Sequence, residues 1–97
     1  MREHSRYNVS ANHVERETRL TMRAPLTPPA EMAAEKAAQL YALLTMTRGA
    51  GFEQFDSLDE DLQHAVLGLA SGLALEVLVL SGLAAKEEIK EGRHVQG

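Results

Sequence analysis

Four histidines and a run of acids are the residues of this 97-residue chain best suited to chemistry. A metal site or a general base needs such groups at a set spacing, for instance two histidines one helical turn apart. His4, His13, His64 and His94 form no HxxxH, no HExxH and no other paired-ligand spacing. His64 stands beside acids near the start of a helical stretch, the setting of an exposed or hydrogen-bonded helix residue. Asp59, Glu60 and Asp61 look like a carboxylate cluster, but a first helical turn favours acids for its dipole alone. The chain has no cysteine, which removes thiolate nucleophiles, disulfides and zinc ribbons and suits a reducing cytoplasm. There is no phosphate loop, dinucleotide fingerprint or activated-serine elbow. The residues point away from an enzyme, and imply no cofactor and no metal.

The elements that would carry these residues read as helices. Aromatics are only 4 % of the chain, so its core must be built from Leu, Val, Ala and Met, a helical vocabulary. The expected fold class is all-α, in one domain at most. Residues 1–24 are polar and read as a flexible tail, with a short helix from Asn12 to Leu20 as its one candidate element: Asn12 would cap it and Glu15 follows three residues on. Pro25, Pro28 and Pro29 mark a boundary, and 25–97 is expected to form a helical hairpin. Thr27 and Pro28 open a first helix from about Pro28 to Thr47, with Ala33, Ala37, Leu40, Tyr41 and Leu44 as its apolar stripe. Gly49 is its expected left-handed terminator. Gly49 to Asp56 reads as a loop. Ser57 and Glu60 then form a capping box for a second helix.

That second helix is the most informative stretch. Ala65 to Ala85 contains one charged residue, Glu76, and is apolar nearly all the way round. An ordinary surface helix shows one apolar stripe and one wet face. Here Leu62, Val66, Leu69, Leu73, Val77 and Leu80 would pack on the first helix. Leu67, Ala70, Ala74 and Leu78 are left for a second copy, giving a homodimeric four-helix bundle. Gly68 and Gly72 form a GxxxG pattern that would let another helix approach closely. Glu76 lies one turn beyond, as a rim residue or as an acid held by a basic partner. Gly82 is a candidate interruption, and Leu83–Glu91 either continues the helix or forms a short third one that stops at Gly92.

Charge and hydropathy limit the partners. Residues 1–24 hold five Arg and three Glu, a net +2, while the remaining residues bring the whole chain to −4. An acidic helical body does not suit phosphate binding, so no direct nucleic acid contact is expected. Residues 1–20 show no apolar core of the signal-peptide kind. Ala65–Ala85 has about the ~20 residues a membrane span needs. An acid near its centre costs roughly 2.5–3.5 kcal/mol on insertion scales. The expectation is therefore no membrane and a cytoplasmic location, with a small structural or membrane-associated helical protein, Ala65–Ala85 facing lipid, as the alternative.

The segment Tyr41 to Val77 carries a resemblance. Leu43–Gly49 reads LLTMT-x-G, a Phe-containing loop follows, and Asp56–Gln63 reads D-x-L-x-x-D-L-Q. In these features the chain resembles a group of small helical quorum-sensing anti-activators of pseudomonads. The resemblance implies binding to the ligand-binding domain of a LasR-type (LuxR-family) transcription factor, over the surface through which that receptor dimerises. A receptor kept monomeric cannot engage a two-fold operator. The motif itself assigns no interface residues. Exposed-apolar reasoning selects Phe52 and Phe55, with Leu43 and Met46 at the end of the first helix, as the partner-binding set. Phe52 and Phe55 also suit a plug over the open end of the bundle, and the sequence leaves both readings open.

Overall fold

The computed structural model describes the backbone of residues 2–96 and the side chains of residues 2–90. The chain begins with three strands, β1 (Arg2–Arg6), β2 (Val9–Val14) and β3 (Glu17–Met22), in an antiparallel meander of order β1-β2-β3. The fold class is thus α+β, and the all-α expectation is corrected. The expected tail, and the expected helix from Asn12 to Leu20, are this sheet.

Local chemistry accounts for the difference. Val9, Ala11, Leu20 and Met22 recur at every second position, the period of a strand. Two tight turns close the hairpins. Tyr7 and Asn8 both take positive φ, as a type I′ turn requires, and Asn tolerates that region well. Glu15 supplies the positive φ of the second turn. The register sets Arg6 opposite Val9 and Val14 opposite Glu17. Cross-strand partners also bond through their side chains. The Ser5 and Ser10 hydroxyls lie 2.9 Å apart, and His13 Nδ1 lies 2.7 Å from Thr18 Oγ1.

A turn over Ala24–Thr27 leads from the sheet to the helices, with the Thr27 N–H donating to the Ala24 carbonyl at 3.3 Å. Leu26 sits at φ 63° in its third position, where a type II turn favours glycine. Helix α1 then spans Pro29–Thr45, with Pro28 at its N-cap and no side-chain cap. The Thr27 hydroxyl turns back to the Pro25 carbonyl instead of capping the helix. Gly49 has the expected positive φ. The segment after it is not a loop: a 3-10 turn (Gly49–Gly51) runs into a short helix, α2 (Phe52–Ser57).

Helix α3 runs from Glu60 to Gln96 without a break at Gly82, and Gly92 lies inside it. Its cap is Asp59, whose carboxylate accepts the Leu62 N–H at 2.9 Å. The expected capping box of Ser57 and Glu60 does not form, because Ser57 ends α2 and its hydroxyl donates to the Gln54 carbonyl at 2.8 Å.

α1 and α3 pack against each other along a seam of inward positions three and four residues apart. Met32, Ala33, Lys36, Leu40 and Leu43 face Val66, Ala70, Leu73, Val77, Leu80 and Ala84. Among the described residues only Ala33, Ala70 and Leu73 are buried, and none of them completely. The sheet scarcely touches the helices. The molecule is correspondingly open, 58 × 39 × 22 Å with a radius of gyration of 17.7 Å. A compact chain of this length has a radius near ~12.5 Å.

Candidate interaction surface

The seam between α1 and α3 uses one side of α3 and leaves the rest bare. Leu62, Leu67, Leu69, Leu75, Leu78, Val79 and Leu83 are all exposed. Gly68 and Gly72 lie in the same bare region, with open space where a Cβ would stand. Of the four residues expected to mediate self-association, Leu67 and Leu78 are exposed, Ala70 is buried and Ala74 half-buried. The two alanines sit on or beside the seam, where their small side chains let α1 come close. Sequence periodicity misplaced this boundary because both faces of α3 are equally apolar. Leu75 and Val79, exposed one and two turns beyond Gly72, belong to neither of the two expected stripes.

Glu76 interrupts this surface, and it is held from within the chain. Lys36 Nζ lies 3.4 Å from Glu76 Oε2. The Lys36 side chain is 17 % exposed and that of Glu76 50 %. The lysine stem lies along apolar neighbours while its ammonium meets the acid at the seam's edge. Together with Met22, Met32, Leu75, Val79 and Leu80 the pair lines a shallow groove of ≈ 350 Å³. Met22 is the point at which the sheet reaches the helices.

The second candidate region is the turn end of the hairpin. Gln63 fixes it, its side-chain amide donating to the Phe55 carbonyl at 3.1 Å and the Asp56 carbonyl at 3.2 Å. Gly51 is required there, since a Cβ would lie 2.5 Å from the Met46 carbonyl oxygen. This close approach brings the start of α2 against the end of α1. Met46 is 68 % and Phe52 52 % exposed, whereas Leu43 and Phe55 are half-buried. Leu43 and Met46 line a groove of ≈ 340 Å³ with Gln39, Ala42, Leu69 and Leu73. Phe52 and Phe55 lie outside that groove. Phe55 turns partly inward and Phe52 outward, so one ring suits the plug and the other the anchor.

The candidate chemical groups do not converge. His64 Nε2 lies 3.6 Å from Glu60 Oε1 on the same exposed helix face. Among the described residues no three His, Asp or Glu side chains come together as a metal site would need. His94 lies outside the residues whose side chains are described. Around α1 and α3 the arrangement offers exposed apolar surface and shallow grooves. No known protein family matches the chain, and no curated protein or solved structure is similar to it.

Proposed function

We propose that this chain is a non-enzymatic, cytoplasmic interaction protein. It pairs with itself through α3, and it silences a LasR-type transcription factor by covering the dimer surface of that receptor's ligand-binding domain. One observation carries the interaction reading. The chain exposes 8336 Å² of surface. A compact monomer of 10.6 kDa exposes about 5,500 Å². The excess, near ~2,900 Å², is more than the ~800 Å² each partner gives to a standard interface, and has the scale of obligate assemblies. Leu62, Leu67, Leu69, Leu75, Leu78, Val79 and Leu83 on α3 belong to this exposed surface. The choice of receptor rests on the LLTMT-x-G and D-x-L-x-x-D-L-Q resemblance alone.

The test is direct. A LasR-type receptor bound to its operator is titrated with the chain. Loss of the operator complex, with a new species containing chain and ligand-binding domain, is the expected result. An unchanged operator complex at a large excess of chain contradicts the receptor reading. The F52A/F55A double variant is expected to bind the receptor domain at least about tenfold more weakly, on the scale of interface anchors. Unaltered binding would remove the two rings from the partner surface.

A specific observation favours a second reading, insertion of α3 into a membrane. Glu60–Lys90 has a mean hydropathy of 2.0 over its most apolar window and is only 11 % buried there. Against it, the Lys36–Glu76 pair and the seam would have to break for α3 to enter lipid alone. Partition of the chain into the membrane fraction after lysis, resistant to salt and released by detergent, would favour this second reading.

A further inference from the structure

The sheet raises a question that the helices do not answer. Three short strands with little cover are at the limit of independent stability, and most of their side chains are exposed. We propose that β3 is a docking edge for a second copy of this chain, so that two three-stranded sheets join into one six-stranded sheet of order β1-β2-β3-β3-β2-β1.

The two edges of the sheet are not alike. β1 carries Arg2, Glu3, His4 and Arg6, the charged composition that blunts an edge. β3 is less charged: Thr18, Leu20, Thr21 and Met22 stand beside one ion pair within the strand, Arg19 Nε to Glu17 Oε1 at 3.2 Å, with no proline and no lysine. Its free hydrogen-bonding groups can be assigned. The Arg23 N–H donates to the Asn8 carbonyl of the neighbouring chain segment at 2.7 Å, extending the ladder by one residue. By the alternation of an antiparallel ladder, Glu17, Arg19 and Thr21 also bond inward, and Thr18, Leu20 and Met22 turn their N–H and C=O outward.

A two-fold axis at Leu20 uses all of these groups. Leu20 meets Leu20 of the second copy, Thr18 meets Met22, and about six backbone bonds close. The side chains agree with this register. The apolar face of Val9, Ala11, Leu20 and Met22 becomes continuous across the axis. Glu17 comes opposite Arg23 at both ends, a pair of opposite charges. The competing registers lack this match. An axis at Arg19 sets two arginines face to face, and β1 paired with itself at His4 sets Arg2 against Arg6 at both ends. The pairing also hides part of the surface that the chain leaves exposed beyond the needs of a monomer. It does not depend on any receptor, and it is separate from contact through α3.

Because the chain has no cysteine, single reporters are clean. Leu20→Cys and Ser5→Cys are compared in the full chain under mild oxidation. Both positions are exposed, Leu20 at 75 %. Circular dichroism confirms that each variant keeps its fold. Across the proposed axis the Leu20 positions lie about 5.5 Å apart, within disulfide reach. The Ser5 positions lie five strand spacings apart, about 24 Å. Leu20→Cys is expected to form a covalent dimer at least about tenfold faster than Ser5→Cys. Equal rates, a faster Ser5→Cys or no covalent dimer from Leu20→Cys would each overturn the edge pairing.

Discussion

The helical hairpin and the N-terminal sheet solve the same problem to different depths. In the hairpin each helix gives the other something to bury, and Ala33, Ala70 and Leu73 are buried between them. In the sheet the strands satisfy one another's backbone, but only Val9 to Asn12 on the central strand are even half-covered. The hairpin has a seam, whereas the sheet has a ladder with no floor. Hydrogen bonds alone contribute little net stability, and apolar burial supplies most of it. The sheet and the outer faces of α3 are therefore the parts of the chain left uncovered.

The largest effect that would sharpen this contrast is on the seam. Leu73→Ala is expected to cost about 3 kcal/mol in urea unfolding, as for other truncated core leucines. Leu20→Ala on β3 is expected to stay within about 0.5 kcal/mol when the chain is dilute enough to be monomeric. Equal costs at the two sites would break the distinction between a packed hairpin and an uncovered sheet.

A smaller effect separates two residues at the start of α3. Asp59→Ala is expected to cost about 1 kcal/mol, the usual loss for a cap. Ser57→Ala is expected to leave α3 unchanged, since its hydroxyl bonds within α2. Thermal melts of both variants check this, and a larger loss for Ser57 would restore the capping box.

The smallest expected effect lies between the two regions. Leu26 holds a positive φ and is fully exposed. Leu26→Gly is expected to stabilise the linker turn slightly, by about 0.5–1 kcal/mol of relieved backbone strain. A loss of stability would mean that the leucine is held by packing in the assembled protein.

The same contrast governs how much could be read from residue order. Both long helices and their antiparallel pairing follow from local signals: prolines before Pro29, Gly49 after α1, and apolar periodicity beyond Asp59. The strands escaped because each is only five or six residues long and their turns lack glycine. Tyr7-Asn8 and Glu15-Arg16 close hairpins without the usual Asn-Gly or Asp-Gly signal. The inward side of α3 was only half legible. Val66, Leu73, Val77 and Leu80 are where periodicity puts them, but Leu62 and Leu69 stay exposed and Ala70 turns in. On a helix apolar all round, periodicity offers little to choose between faces. The Lys36–Glu76 pair joins residues forty positions apart, so it had no local signature.

The exposed apolar surface of α3 is proposed above to lie against a second copy of this chain. Light scattering on a sizing column, run from nanomolar to high micromolar chain without detergent, tests it most directly. The expected result is a stable species of at least twice the 10.6 kDa chain mass that persists on dilution into the low micromolar range. A soluble monomer at every concentration would contradict it, because about 2,900 Å² of excess surface would then be exposed with no second copy to cover it.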